Sequence, residues 1–152
     1  LRMGYVVGPA KLISELRALR RLMLRHPAAN NQHSMALFLS RGYHESLIKN
    51  LHRTYKARFE IMSEELSNIM PVSVATTAFG GSSFWIEGPE TLNARVLAAE
   101  AKKIGIIIEP GDLHFYGPRP PTHFFRLGFS AIKTEQIRPG IKLLADLITQ
   151  LS

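Results

Sequence analysis

Two arginines sit where a charge is costly unless it meets an anion. Arg126 lies in F-F-R-L-G-F-S (124–130), flanked by Phe124, Phe125, Leu127 and Phe129. A charge inside such an apolar strand must be paired, hydrogen-bonded or kept wet. Its planar five-donor fork matches a carboxylate in two parallel hydrogen bonds. The duller arrangements are an arginine on the solvated face of an alternating strand, or one paired internally. The residues alone leave all three open. Arg2 stands in R-M-G inside a second strand-like run, R-M-G-Y-V-V-G.

The other candidates are weaker. His44 and His52 are eight residues apart, about two helical turns, too far to share one ion without further ligands. His114 and His123 flank a proline-rich loop with no carboxylate at ligand spacing, so no metal is expected. Gly80-Gly81-Ser82-Ser83 lacks a phosphate-loop lysine and does not form G-x-S-x-G, so it reads as a turn. Glu87, Glu90, Glu109 and Asp112 fall near strand ends and read as solvated loop acids. No catalytic residue emerges.

These residues need elements to hold them. Arg2–Gly8 reads as a strand, and Pro9 suits the first position of a helix. Leu12, Leu16, Leu19 and Met23 recur at helical spacing up to His26-Pro27. Asn30 and Asn31 can cap a second helix, with Met35, Phe38 and Leu39 inward and Gly42 as its stop. Leu47, Leu51, Tyr55, Phe59, Met62, Leu66 and Ile69 then form one stripe of a long helix closed by Pro71. At about 26 residues it would span roughly 39 Å, enough to connect two domains.

After Pro71 the texture changes to short strands. Val72–Phe79 and Ser83–Glu87 flank a Gly-Gly turn, and Thr91–Lys103 is helical with Gly105 as its stop. Ile106–Ile108 and Phe124–Ser130 are strand runs. The last helix carries Ile137, Ile141, Leu144, Ile148 and Leu151. The order β-β-α-β-β-α implies a small sheet with helices on one face.

Composition sets the outer limits. A chain of 152 residues suits one domain, or a small domain with part of another. No apolar run reaches membrane-span length and no secretory signal pattern appears. The lack of cysteine excludes disulfides and fits a cytoplasmic protein. The net charge of +7 is uneven: residues 1–58 carry 11 Lys/Arg against Glu15 and Glu45, whereas residues 59–152 carry 8 against 10 acids. Arg17, Arg20, Arg21 and Arg25 share one predicted helix without interleaved aromatics. They read as a solvated face, or one meant for acidic parts absent from the chain, rather than a nucleic-acid surface.

The motifs taken together resemble a known family. R-M-G-Y-V-V-G-P at 2–9 looks like the segment just after the cofactor lysine of fold-type I aminotransferases. F-R-L-G-F-S at 125–130 resembles the strand bearing the substrate-carboxylate arginine of class I and II enzymes. Asn31-Gln32, Gly42-Tyr43-His44 and the R-x-x-Y-x-x-R-like run from Arg53 to Arg58 are similar to MocR-type regulators of the GntR family. Gly80-Gly81-x-x-Phe84-Trp85 matches a Gly-Gly-hydrophobic strand of the family.

The resemblance implies an α/β (α+β) architecture: the aminotransferase C-terminal small domain, mostly antiparallel, plus a helical remnant of the large domain. Residues 1–45 would be that remnant, 46–70 a connecting helix and 71–152 the small domain. Arg2 would contact the phosphate of pyridoxal phosphate, and Arg126 an amino compound's carboxylate. The cofactor lysine would lie upstream of Arg2, so the chain alone is expected to be inactive. The implied function is sensing of an amino compound in a MocR-type regulator. The alternative is a true aminotransferase acting on a 2-oxo acid. A homodimer is implied, with DNA bound only through an absent N-terminal domain.

Overall fold

Apolar residues at helical spacing form helices before and after the strands. The computed structural model describes residues 3–69, 73–75 and 81–152. The chain forms two compact units, Leu1–Asn50 and Leu51–Ser152.

The first unit holds α1 (Ala10–Met23), α2 (Ala29–Ser40) and the start of α3 (Tyr43–Ile69). Gly42 separates α2 from α3 with φ 72°, a conformation that costs a glycine little. Two expectations fail here. Residues 3–9 form no strand, and Tyr5 and Val7 are 90% and 84% exposed. A strand is made by its ladder partners, and residues 3–9 pair with none among the described residues. Asn30 and Asn31 do not cap α2, which starts after Ala28 without a side-chain cap. Gln32 instead donates its Nε2 hydrogen to the Pro27 carbonyl at 2.8 Å, tying down the entry to the helix. No residue of α1 or α2 is buried, so the stripe Leu12, Leu16, Leu19 and Met23 lies open.

The second unit is built on a four-stranded sheet in the order β1 (Ser73–Ala75), β2 (Ser83–Glu87), β4 (Phe124–Gly128), β3 (Glu109–Pro110). Every pairing is antiparallel. Alternation along β2 and β4 sends Phe84, Ile86, Phe125 and Leu127 into the core. Helices supply the rest of it: Met62 and Leu66 from α3, Leu97 and Ala101 from α4 (Ala94–Lys103). Ile137, Ile141, Leu144 and Ile148 come from α5 (Thr134–Leu151). This is the expected small antiparallel sheet with helices on one face. Phe59 stacks on Phe84 with centroids 5.1 Å apart, and Phe129 meets Phe84 at 5.6 Å.

Two boundaries move from their expected places. α4 begins at Ala94 rather than Thr91, because Asn93 Oδ1 accepts from the Arg95 and Val96 amides at 3.0 and 3.3 Å. Ile106–Ile108 is not a strand. Gly105 turns the chain at φ 82°, and the Ile106 amide donates to the Ala101 carbonyl at the helix end. Ile107 faces solvent, and the ladder to β4 starts only at Glu109. The expected strand Val72–Phe79 is described only at 73–75, and its remaining residues, with Pro71 and Gly80, lie outside the described residues.

One buried charge fixes α5 to α3. Glu65 is 6% exposed and accepts from Arg138, whose other terminal nitrogen reaches Glu64 at 2.9 Å. Removing one partner of a buried pair leaves an uncompensated charge, whereas an apolar pair of similar volume can be neutral. Arg138→Ala is expected to lower unfolding stability by about 2–3 kcal/mol, less than for a fully buried pair because the arginine is half exposed. Glu65→Leu/Arg138→Met should recover most of that loss. Urea denaturation of the three proteins measures both effects.

Candidate anion site on the open face of the sheet

The alternation that buries Phe125 and Leu127 places Arg126 on the opposite face of β4. Its neighbours there are set by register: Trp85 on β2 and Glu109 on β3. The Arg126 guanidinium donates to Glu109 Oε2, and both side chains keep nearly half their surface, 48% and 41%. Of the three arrangements open for this arginine, the fold gives an internal pair on an accessible face. Arg2, the other candidate, lies outside the described residues.

Around the pair stands an aromatic platform. Trp85 stacks on Phe124 at 6.0 Å and meets Phe115 at 6.0 Å, while His114 stands edge-on to Trp85 at 5.5 Å. His114 Nε2 lies 3.3 Å from Glu109 Oε1, so Glu109 is shared between an arginine and an imidazole. A short 3-10 turn, Asp112–His114, delivers the histidine. It is moored where the Arg95 Nε hydrogen is donated to Asp112 Oδ2 at 2.6 Å. At the edge of the platform His123 approaches Glu87 at 3.7 Å.

Glu109 and Asp112 are therefore ion-paired rather than simply solvated, which corrects their reading as loop acids. His114 and His123 each have a carboxylate partner: Glu109, five residues before His114, and Glu87 on β2 for His123. Among the described residues no group of three His, Asp or Glu side chains is arranged to hold a metal.

The Arg126 hydrogen bond is the main reason the Glu109 carboxyl sits below the ordinary glutamate range; desolvation opposes it and His114 assists. A carboxyl held low in the folded state stabilises the fold above its unfolded value, and that contribution is lost as pH falls through the folded one.

The hydrogen bonds and ion pairs of this face, among the described residues, are made by arginine, histidine and carboxylate side chains without a lysine. They fit an acid group exchanging on Arg126. They do not by themselves form a cradle for pyridoxal phosphate.

No protein-family model matches the chain. It is 37% identical over 145 residues to the HTH-type transcriptional regulator TauR of Rhodobacter capsulatus, covering 95% of this chain and 30% of that protein. It is 31% identical over 114 residues to aromatic-amino-acid aminotransferase 1 of Thermococcus litoralis, covering 74% of this chain and 27% of the enzyme. The crystal structure of Pyrococcus horikoshii kynurenine aminotransferase matches with a TM-score of 0.81 at 26% identity, over 93% of this chain and 35% of that one. The chain thus spans about a third of the length of the proteins it matches.

The chain belongs to the fold-type I aminotransferase-like family and has the fold of its C-terminal part. Within that family it is an aminotransferase-like domain of the kind found in MocR-type transcriptional regulators. No helix among the described residues is long and apolar enough to cross a membrane.

Two outcomes test the site's construction. A Cβ on Gly111 would lie 2.7 Å from Trp85 Cη2 and 2.8 Å from the Phe124 carbonyl oxygen. Gly111→Ala should displace Trp85, the chain's single tryptophan, with a shifted emission maximum and a stability loss of about 1–3 kcal/mol. Glu109→Gln should lose less stability than the parent on acidification from pH 7 to below the ordinary glutamate value of 4.5. Thermal melts across that range measure the difference.

Proposed function

We propose that this chain is the ligand-binding C-terminal part of the effector domain of a GntR/MocR transcriptional regulator that senses an amino compound. The observation that carries the reading is Arg126, accessible on the open face beside Trp85 and already holding a carboxylate. A guanidinium that donates to Glu109 is chemically suited to the acid group of an amino acid or a similar ligand. Similarity to TauR over 95% of the chain favours a regulator.

In the whole protein Arg2 would contact the phosphate of pyridoxal phosphate. The cofactor supplies the electron sink for amino-group chemistry when bound. We read residues 1–45 as a remnant of the large domain, 46–70 as the connecting helix and 71–152 as the small domain. The exposed stripe Leu12, Leu16, Leu19 and Met23 suits a homodimer contact. DNA would be bound by an N-terminal domain, in the cytoplasm.

A second reading rests on the enzyme relatives: the intact protein transfers an amino group to a 2-oxo acid. Both are tested in the full-length protein reconstituted with pyridoxal phosphate. A regulator should retard its promoter DNA, and amino compounds should change that retardation without sustained 2-oxo acid turnover. Arg126→Gln should reduce the ligand response at least tenfold, the loss of about 1.4 kcal/mol or more from a charge-assisted bidentate contact, while leaving DNA retardation intact. Steady transamination without DNA binding would decide for the enzyme.

A further inference from the structure

The pair between Glu109 and Arg126 has no role in building the core. Both side chains are nearly half exposed, and neither contributes to the buried cluster. Yet the register of β3 against β4 sets Glu109 directly opposite Arg126. We propose that Glu109 is a specificity-determining residue of the anion site, a built-in competitor that an incoming carboxylate must displace from Arg126, with His114 receiving it.

The inference rests on the reading of Arg126 as the group that binds the ligand's acid. Its geometry is already present. Glu109 Oε2 accepts from Arg126, while Oε1 lies 3.3 Å from His114 Nε2. Because Glu109 already touches both partners, loss of its bond to Arg126 leaves the contact with His114 in place without moving a strand. No other acid has an ion pair to Arg126 or His114 among the described residues: Asp112 is held by Arg95, and Glu87 is approached by His123.

The exchange has consequences for selectivity. Glu109 uses a terminal guanidinium nitrogen, so a ligand that makes two parallel hydrogen bonds displaces it better than one that makes a single bond. A planar carboxylate is such a ligand; a halide is not. The charged and titratable groups recorded around Glu109 are Arg126 on β4 and His114 on the 3-10 turn. The neighbouring Arg95–Asp112 and His123–Glu87 pairs complete the face.

Propionate, a carboxylate without an amine, is the probe. Emission from Trp85, the chain's single tryptophan, reports its binding at constant ionic strength and pH 7.5. Glu109→Gln is expected to bind propionate roughly three- to fivefold more tightly than the parent, the fold-change of breaking a half-exposed ion pair. His114→Gln should bind more weakly than the parent. Arg126→Gln should give no saturable response, and Arg126→Lys, which keeps the charge and loses the fork, only a weak one. Circular dichroism melts confirm that each variant is folded.

If Glu109→Gln binds no better than the parent while Arg126→Gln still abolishes binding, the competitor is refuted and the anion site stands. If Arg126→Gln titrates like the parent, the anion site itself is refuted. Absence of a saturable response in Glu109→Gln also overturns the proposal, since that variant leaves Arg126 uncontested.

Discussion

Pairing of β2 with β4 in one register governs the chemistry of the second unit. With Phe84 opposite Leu127 and Trp85 opposite Arg126, one face of the β2–β4 pair buries Phe84, Ile86, Phe125 and Leu127 and the other carries the arginine and the tryptophan. A slip by one residue would exchange the faces. Arg126 would then enter the core among Phe59, Phe84 and Phe129, and Phe125 and Leu127 would face water. Burying an unpaired guanidinium costs several kcal/mol, and losing the burial of two large apolar side chains costs about 1.5–3 kcal/mol each. The register that completes the core is therefore the register that presents the site.

The helices reinforce that choice. Glu65 on α3 is buried and meets Arg138 on α5, so two of the three helices that cover the core face are tied together by charge. Arg58 adds a second tie from α3, donating to the Ser130 carbonyl just beyond β4. The aromatic contacts of Tyr55 and Phe59 with Phe129 lie on the same helix face, one turn apart. Together these contacts hold the end of β4 against α3, and the strand is braced from the side away from Arg126.

How much of this was legible in the sequence depends on whether the pattern is local. β4 was legible because F-F-R-L-G alternates within five residues, and α5 because Ile137, Ile141, Leu144 and Ile148 repeat at helical spacing. The partner of Arg126 was not. Glu109 is 17 residues away along the chain and reaches the arginine only through the β3–β4 ladder, so in sequence it looks like any acid at a strand end. His114 is only five residues from Glu109 and comes alongside it through the turn at Asp112–His114, which the sequence did not mark. Ile106–Ile108 misled in the opposite way: three β-branched residues favour a strand, but Gly105 and the end of α4 take up the first amide. Residues 3–9 carry strand-forming residues with no ladder to join among the described residues, and propensity without a partner makes no strand. The signal that would have found Glu109 is the pairing of E-P with F-R across a proline-rich loop, which becomes visible only once both segments are known to be strands.

The presence of an acid at this position also has a physical rationale within the fold. An arginine opposite a tryptophan and beside Phe124 loses part of its hydration to the aromatic platform, and a carboxylate on the adjacent strand restores the lost hydrogen bonds. Exchange of that carboxylate for one from a ligand leaves the number of charge-assisted bonds at Arg126 unchanged or raises it by one. The arginine is solvated by an anion in both states. What differs is the fate of Glu109, which must find water or His114. In the proposed exchange the affinity for a carboxylate is a difference between two similar pairings, and the side chain that keeps Glu109 sets its size as much as the arginine does.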